Sequence, residues 1–211
     1  MDDPAYPDRA SAHVLEPDCA RCPALAEARE RISWGNGSLD ADVMVVGEAP
    51  GTGTPDAERW RGGNWTGLAY TARHSGRIVR RTFESLGYGP EDLYVTNAVK
   101  CLPSDGDGGT REPTVEELRT CFDHLAMEID RVDPAVVVTT GRHATRIVLE
   151  VEGIALDGFV DAVLEPVECP SIGVVVLPVL HPAYQHVWLS RLGYDRDEYV
   201  NAIGEAIEAC R

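Results

Sequence analysis

The sequence contains very little lysine and no long apolar run. Of its 19 basic residues only Lys100 is a lysine, against 35 acidic residues, and the formal net charge is −16. No run of about 18 or more apolar residues is present, which excludes an ordinary membrane-spanning helix. The first residues, Met1-Asp2-Asp3-Pro4, lack the basic and apolar regions of a signal peptide, so we expect a cytoplasmic protein.

The acidic, lysine-poor composition is typical of proteins that work in molar salt. Carboxylates keep such a surface hydrated, while salt with a Debye length of about 3 Å at 1 M screens their mutual repulsion. We therefore expect a salt-adapted, haloarchaeal source, with an ordinary acidic mesophilic protein as the alternative. Taken alone, the net charge argues against a nucleic-acid partner.

Acidic residues are missing altogether from residues 59–83, which hold six arginines. Four of these follow the spacing i, i+4, i+7 and i+8, which predicts one face of a helix: Arg73, Arg77, Arg80 and Arg81. A solvated helix face is the alternative interpretation. Because 25 residues without one acid are unusual in so acidic a chain, we favour a surface that faces phosphate groups.

Apolar runs alternate with helical patterns along the chain. Strands are predicted at 42–46, 93–97, 135–140 and 173–180. Helices are predicted at 74–86, after the Thr114 N-cap, after Gly141 and from about Asp195. A further strand or hairpin has room within residues 153–168. The alternation indicates a single α/β domain over residues 1–211, with a parallel sheet covered by helices on both faces.

Polar residues stand at the carboxyl ends of three predicted strands. Glu48 follows the first strand, Asn97 ends the second, and His181 follows the fourth. In a parallel sheet these ends share one edge, where ligands bind. Each residue alone is typical of a surface loop, but three at equivalent positions predict a site.

The chain has six cysteines, namely Cys19, Cys22, Cys101, Cys121, Cys169 and Cys210. The first two form a CxxC, and the next two follow a strand and lie on the following predicted helix. A disulfide framework is not expected in a cytoplasmic protein of this size. From spacing alone, structural zinc and a four-thiolate iron–sulfur cluster are equally credible. The last two cysteines are interpreted as buried or incidental thiols.

Several blocks in this order resemble the iron–sulfur uracil-DNA glycosylases of family 4. They are the CxxC, Gly47-Glu48-Ala49-Pro50-Gly51, Thr96-Asn97-Ala98-Val99-Lys100-Cys101, the segment 111–117 with Cys121, and His181-Pro182-Ala183-Tyr184. The resemblance implies a three-layer α/β/α uracil-DNA-glycosylase-like fold with a four-stranded, mainly parallel central sheet. It also implies a [4Fe–4S] cluster held by Cys19, Cys22, Cys101 and Cys121, with the first two carried by the N-terminal segment 1–34.

The resemblance further implies a monofunctional base-excision-repair enzyme that flips uracil out of DNA, hydrolyses its N-glycosidic bond and leaves an abasic site. The catalytic residues would be Glu48, Asn97 and His181. The substrate-binding residues would be Gly47, Ala49, Pro50, Trp65, Asn97 and His181, with Trp65 stacking on the base. DNA would be bound by Arg73, Arg77, Arg80, Arg81 and Tyr184. We expect a monomer that binds DNA and no membrane.

The residue types suit these roles. His181 can stabilise negative charge on a uracil oxygen, and the amide of Asn97 matches the donor and acceptor pattern of the uracil edge. Glu48 can position a water molecule or balance positive charge on the sugar. With Lys100 the sole lysine, strand scission through a Schiff base is not expected.

The chain also departs from the family pattern in four places. Thr52-Gly53-Thr54-Pro55 replaces an acidic pair, and Gln185-His186-Val187 replaces an apolar pair and an arginine. The stretch between Gly67 and Gly76 is longer than the family pattern, and residues 104–109 extend a loop. These changes leave a non-catalytic or altered-specificity DNA-binding paralogue as the alternative. A P-loop enzyme is a weaker alternative, because no Gly-Lys-Ser/Thr follows the first strand.

Overall fold

A computed structural model describes residues 3–106 and 109–211 of the chain. Within these residues the strands form one six-stranded sheet. Their bounds are Asn36–Gly37 (β1), Val43–Gly47 (β2), Leu93–Asn97 (β3), Val136–Thr140 (β4), Val167–Cys169 (β5) and Val174–Val179 (β6). Asp107 and Gly108, from the predicted loop extension, lie outside the described residues, as do Met1 and Asp2.

The sheet has the strand order β1-β3-β2-β4-β6-β5. Its four central strands are parallel, which confirms the predicted parallel core. The two edge strands, β1 and β5, are short and antiparallel to their neighbours. β5 begins at the end of residues 153–168, the region in which the sequence allowed a further strand. β1 has only two residues, which are too few to give a periodic pattern in the sequence.

Helices cover both faces of the sheet. Their bounds are Pro23–Ala28 (α1), Gly63–Thr66 (α2), Ser75–Ser85 (α3), Val115–Val132 (α4), Arg142–Glu150 (α5), Gln185–Leu192 (α6) and Arg196–Ala209 (α7). The predicted capping box is present at α4, where Thr114 and Glu117 each accept a hydrogen bond from the other's backbone N–H. None of the helices in the described part of the chain is long and apolar enough to cross a membrane.

Alternating side chains of the strands build two separate cores. On β2, Met44 and Val46 pack with residues of α4 and α5, whereas Val43 and Val45 pack with residues of α3 and α7. All four side chains are fully buried. Because both faces of each central strand are covered, the strands read as continuous apolar runs in the sequence. The result is the predicted three-layer α/β/α arrangement.

The strand order creates a switch point at β2. From β2 the sheet continues to β3 on one side and to β4 on the other. The loops that leave the carboxyl ends of β2 and β4 therefore diverge and leave a crevice between them, which is where ligands bind in open α/β sheets. Glu48 begins the loop after β2, and Gly141 connects β4 to α5.

Candidate active site

The ends of β2 and β3 hold Glu48 and Asn97 side by side. Gly47 is registered opposite Asn97, and the pairing continues beyond the strands through Ala98 N–H to Gly47 O (2.7 Å) and Val99 N–H to Glu48 O (2.8 Å). A Cβ atom on Gly47 would lie 2.6 Å from both Asn97 Oδ1 and the Tyr70 hydroxyl. Glycine is needed here because the two polar groups occupy that space.

A small cavity of about 40 Å³ lies at this edge of the sheet and adjoins a cleft of about 810 Å³. The two share Glu48, Ala49, Pro50 and His181, while Asn97 lines only the inner cavity. Six of the predicted site residues line the inner cavity: Gly47, Glu48, Ala49, Pro50, Asn97 and His181. A cleft of this size is in the range that accommodates small organic groups.

Tyr70 is the aromatic residue that lines the inner cavity. Its hydroxyl lies 2.6 Å from Thr140 Oγ1 at the end of β4, and its side chain is buried. The backbone of Tyr70 has a positive φ of 54°, which costs a non-glycine residue of order 1–3 kcal/mol and marks functional sites. The sequence analysis did not select Tyr70.

Trp65, the predicted stacking residue, lines neither the cavity nor the cleft. Its indole N–H donates to Thr52 O at 2.7 Å, and the Arg61 guanidinium lies over its ring. In the structure Trp65 thus anchors the loop after β2 and does not face the cavity. The two aromatic residues are only five positions apart, and local sequence does not distinguish them.

Arg80 is an interior residue that supports Tyr70. Its Nε donates to Tyr70 O (3.0 Å) and its Nη2 to Asn36 Oδ1 (2.7 Å). Burial lowers the pKa of Arg80 to about 10. The Nε and Nη2 groups of Arg80, which was predicted to contact DNA, are thus directed into the protein.

The other predicted DNA-binding residues are distributed differently from the expected helix face. Arg73 is exposed and precedes α3, so it does not share the face of Arg77 and Arg81. Arg77 pairs with Asp3 and contacts the Trp60 ring. Tyr184 is 60% exposed at the rim of the cleft. Arg73 and Tyr184 are thus the members of this set most open to a large ligand.

His181 has a geometry that fixes its tautomer. Its Nδ1 accepts a hydrogen bond from Ala183 N–H at 3.2 Å, so the neutral ring carries its proton on Nε2. Burial lowers the pKa of His181, although nearby Glu48 opposes the shift. Gly141, at φ 94°, allows close approach, since a Cβ there would lie 3.1 Å from His181 Cβ. The site therefore offers a neutral N–H donor.

His143, which the sequence analysis also missed, lies beside Glu48. Its Nδ1 is 2.9 Å from Glu48 Oε2, and its Nε2 is 3.4 Å from Glu112 Oε2. All three side chains line the cleft. The only sequence signal for His143 is its place two residues after Gly141, just beyond the carboxyl end of a predicted strand.

The four cysteines predicted as cluster ligands line one cavity, with Cys101 and Cys121 buried. Arg29 donates to Cys101 Sγ (3.3 Å), and the Lys100 backbone N–H donates to Cys121 Sγ (3.4 Å). Such N–H donors are typical of thiolates that ligate iron–sulfur clusters. Burial raises the pKa of Cys121 to about 12, so a bound metal would be needed to hold it as a thiolate.

His124 and Glu16 provide other donor atoms beside these cysteines. Their ligand atoms and Cys19 Sγ lie within 4.8 Å of one another. The separation of His124 Nε2 from Cys19 Sγ is 3.4 Å. A mixed nitrogen, oxygen and sulfur site suits zinc. Cys169, by contrast, is buried in the core away from this cavity, as its interpretation as an incidental thiol requires.

The sole lysine, Lys100, is buried and does not line the cleft. Lys100 is 1% exposed, and its Nζ donates to Glu128 Oε2 (2.6 Å) and Asn97 O (2.5 Å). Glu128 also accepts from Tyr94 and Thr96. Lys100 therefore stabilises the turn that carries Asn97 and is not placed to attack a sugar.

The chain is similar to several known proteins. A family model described as the uracil DNA glycosylase superfamily matches residues 34–207. A type-4 uracil-DNA glycosylase of Archaeoglobus fulgidus is 30% identical over 168 residues, which cover 78% of this chain and 76% of the relative. A type-4 enzyme of Saccharolobus solfataricus is 29% identical, with coverage of 78% and 71%. A type-5 uracil-DNA glycosylase of Pyrobaculum aerophilum is 31% identical over 203 residues, with coverage of 83% and 82%.

Proposed function

The chain belongs to the uracil-DNA glycosylase superfamily, and on that premise we propose that it removes uracil from DNA by hydrolysing the bond between base and deoxyribose. The observation that carries the proposal is that Asn97, His181 and Tyr70 line one cavity beside Glu48. The base must leave the duplex to enter this cavity, and an enzyme of this kind leaves an abasic site.

The chemistry requires a donor for the departing base. As the C1′–N1 bond breaks, its electron pair moves onto uracil, and negative charge develops on the base oxygens. His181 would donate a hydrogen bond from Nε2–H to one of these uracil oxygens, since its Nδ1 already accepts a hydrogen bond from Ala183 N–H. A preorganised donor of this type contributes most when charge develops in the transition state.

Asn97 would select the base. Its Oδ1 can accept from uracil N3–H, and its Nδ2 can donate to O4, whereas cytosine presents the reverse pattern at these positions. A site built around such a pair discriminates strongly, because the wrong base leaves buried polar groups unpaired. Lys100 and the buried Glu128 hold the Asn97 backbone in place.

Glu48 would act at the sugar, and Tyr70 would contact the base ring. Glu48 would orient the water that adds to C1′ and offset positive charge on the deoxyribose. The Tyr70 ring would stack on the flipped base, as aromatic residues do in sites of this kind. We therefore propose Tyr70, in place of Trp65, for the stacking role.

We further propose that Cys19, Cys22, Cys101 and Cys121 hold a [4Fe–4S] cluster. The proposal is supported by their shared cavity and by the N–H donors directed at two of the sulfurs. When bound, the cluster would cross-link the N-terminal segment to the loop and helix that follow β3, without redox work during base removal. The likeness to type-4 relatives favours this occupant over zinc.

A salt-rich cytoplasm is our proposal for the protein's working environment. The formal net charge is −16, and the sole lysine is buried, so arginine supplies the basic side chains at the surface. Screening of carboxylate repulsion should then raise thermal stability as KCl increases from about 0.1 M to 2 M. A melting temperature that falls over this range would contradict the proposal.

The function can be tested with three oligonucleotides that differ only in one base, which is uracil, thymine or cytosine. The protein should release free uracil from the first and leave a strand that breaks only after alkali treatment. The thymine and cytosine strands should stay intact. Binding to all three without release of any base would instead identify a non-catalytic DNA-binding relative, and release of another base would identify altered specificity.

A further inference from the structure

His143 connects two carboxylates that come from different parts of the chain. Glu48 belongs to the loop after β2 and Glu112 to the segment before α4, while His143 is the second residue of α5. The imidazole is 11% exposed, and Glu112 is 80% exposed at the outer end of the contact. The row Glu48–His143–Glu112 therefore runs from the inner cavity to solvent.

We propose that His143 is a positioning residue that orients Glu48 for the attack of water, an inference that rests on the proposed glycosylase function. In this arrangement Nδ1–H donates to Glu48 Oε2. In the part of the chain that the structure describes, Glu48 Oε1 has no hydrogen-bond partner, which leaves this oxygen to hold the attacking water. As the water oxygen bonds to C1′, it loses one proton to Glu48, which then releases it to solvent.

Helix stability does not explain the position of His143. It lies in the first turn of α5, where the helix dipole disfavours a positive charge. Hydrogen bonding to Glu48 raises the pKa of His143, and burial opposes this shift. The contact with Glu48 therefore favours the charged form of the ring more than burial disfavours it.

Several other charges surround the imidazole. Glu112 favours its protonation, and Arg146, one turn along α5, opposes it. The cleft is also lined by Arg111, Arg142 and Asp157, and Arg111 is already paired with Glu117. Glu48 makes the shortest contact, so its removal should have the largest effect on His143.

The first test needs no activity. The titration of the His143 ring would be followed by NMR in the parent protein and in the Glu48→Gln, Glu112→Gln and Glu116→Gln variants. The pKa of His143 should lie above the ordinary histidine value of about 6.5 in the parent and fall in Glu48→Gln. Glu112→Gln should lower it less, and Glu116→Gln, an exposed control on α4, should leave it unchanged. An identical titration in parent and Glu48→Gln would overturn the proposal.

The second test measures single-turnover uracil release by His143→Leu and His143→Asn. The leucine variant should be slower by about tenfold to a hundredfold, the loss expected from a misplaced catalytic group. The asparagine variant should keep most of the rate, because its side-chain N–H can replace Nδ1–H. In a Glu48→Gln background His143→Leu should cause no further loss.

Equal losses in the leucine and asparagine variants, or a full further loss in the Glu48→Gln background, would assign His143 a merely structural role. A parent protein that releases no uracil would instead overturn the proposed function. The NMR titration would still show whether Glu48 and His143 are coupled, so the two failures are distinguishable.

Discussion

The hydroxyl of Tyr70 lies 2.6 Å from Thr140 Oγ1 and ties the loop between α2 and α3 to the end of β4. Arg80 holds the same loop from the other side through the Tyr70 carbonyl. A Cβ on Gly76 would lie 2.5 Å from that carbonyl, so the helix can approach closely only with glycine there. These contacts fix an aromatic ring, in a strained backbone conformation, at the wall of the cavity.

Replacing Tyr70 should therefore impair uracil processing more than replacing Trp65. Stacking between a base and an aromatic side chain contributes about 1–3 kcal/mol, which Tyr70→Ala should lose. Tyr70→Phe keeps the ring and should retain most of the single-turnover rate. Trp65→Ala is the matched control. It should mainly lower the thermal stability, because the hydrogen bond to Thr52 O is lost. A larger rate loss in Trp65→Ala than in Tyr70→Ala would restore the original assignment.

The prediction for His181 concerns both rate and pH. His181→Ala should lose roughly 2–4 kcal/mol of transition-state stabilisation. Burial lowers the pKa of His181, so the neutral donor persists as pH falls to the ordinary histidine value of about 6.5 and is lost below it. The acid limb of the rate should accordingly lie below that value in the parent and be absent from the residual activity of His181→Ala. An unchanged acid limb in the variant would assign it to another group.

The cluster prediction is tested by colour and metal content. Protein purified without oxygen should be brown and contain about four irons per chain. Cys101→Ala or Cys121→Ala should lose iron and stability, because each removes a ligand at the cavity. Cys169→Ala, whose thiol is buried elsewhere, should keep its iron. A colourless parent that holds one zinc ion would refute the cluster.

The DNA-binding prediction now centres on Arg73. Arginine makes bidentate contacts with phosphate, so it retains geometric specificity when salt screens long-range attraction. Arg73→Glu should weaken binding to a uracil-containing strand at fixed salt, while Arg31→Glu, an exposed control outside residues 59–83, should do much less. Equal losses in the two variants would indicate that Arg73 lies on an ordinary solvated surface.

Sequence patterns predicted the parallel core well, because its strands are mainly apolar runs rich in β-branched residues. The predicted strand at 42–46, for example, differs from Val43–Gly47 by one residue at each end. The convergence of Glu48, Asn97 and His181 followed from strand topology alone. β1 was not predicted, since two residues are too few to give a periodic sequence pattern.

The differences between the predicted site and the observed geometry have a common cause. The choice of Tyr70 over Trp65 depends on a hydroxyl contact with Thr140, which is 70 residues away in the chain. Arg80 has the sequence spacing of an exposed helix face, but its guanidinium donates hydrogen bonds to Asn36 Oδ1 and to the Tyr70 carbonyl inside the protein. His143 meets Glu48 only across the switch point of the sheet. Such contacts between distant residues leave no local pattern.

The most direct test of the account is single-turnover release of free uracil by the parent protein and by Asn97→Ala on the same strand. The account predicts that the parent releases uracil and leaves an alkali-sensitive site, while Asn97→Ala loses roughly 2–4 kcal/mol of transition-state stabilisation with unchanged thermal stability. An Asn97→Ala variant as fast as the parent would contradict the assignment of the cavity. A parent that binds the strand but releases no uracil would contradict the function itself.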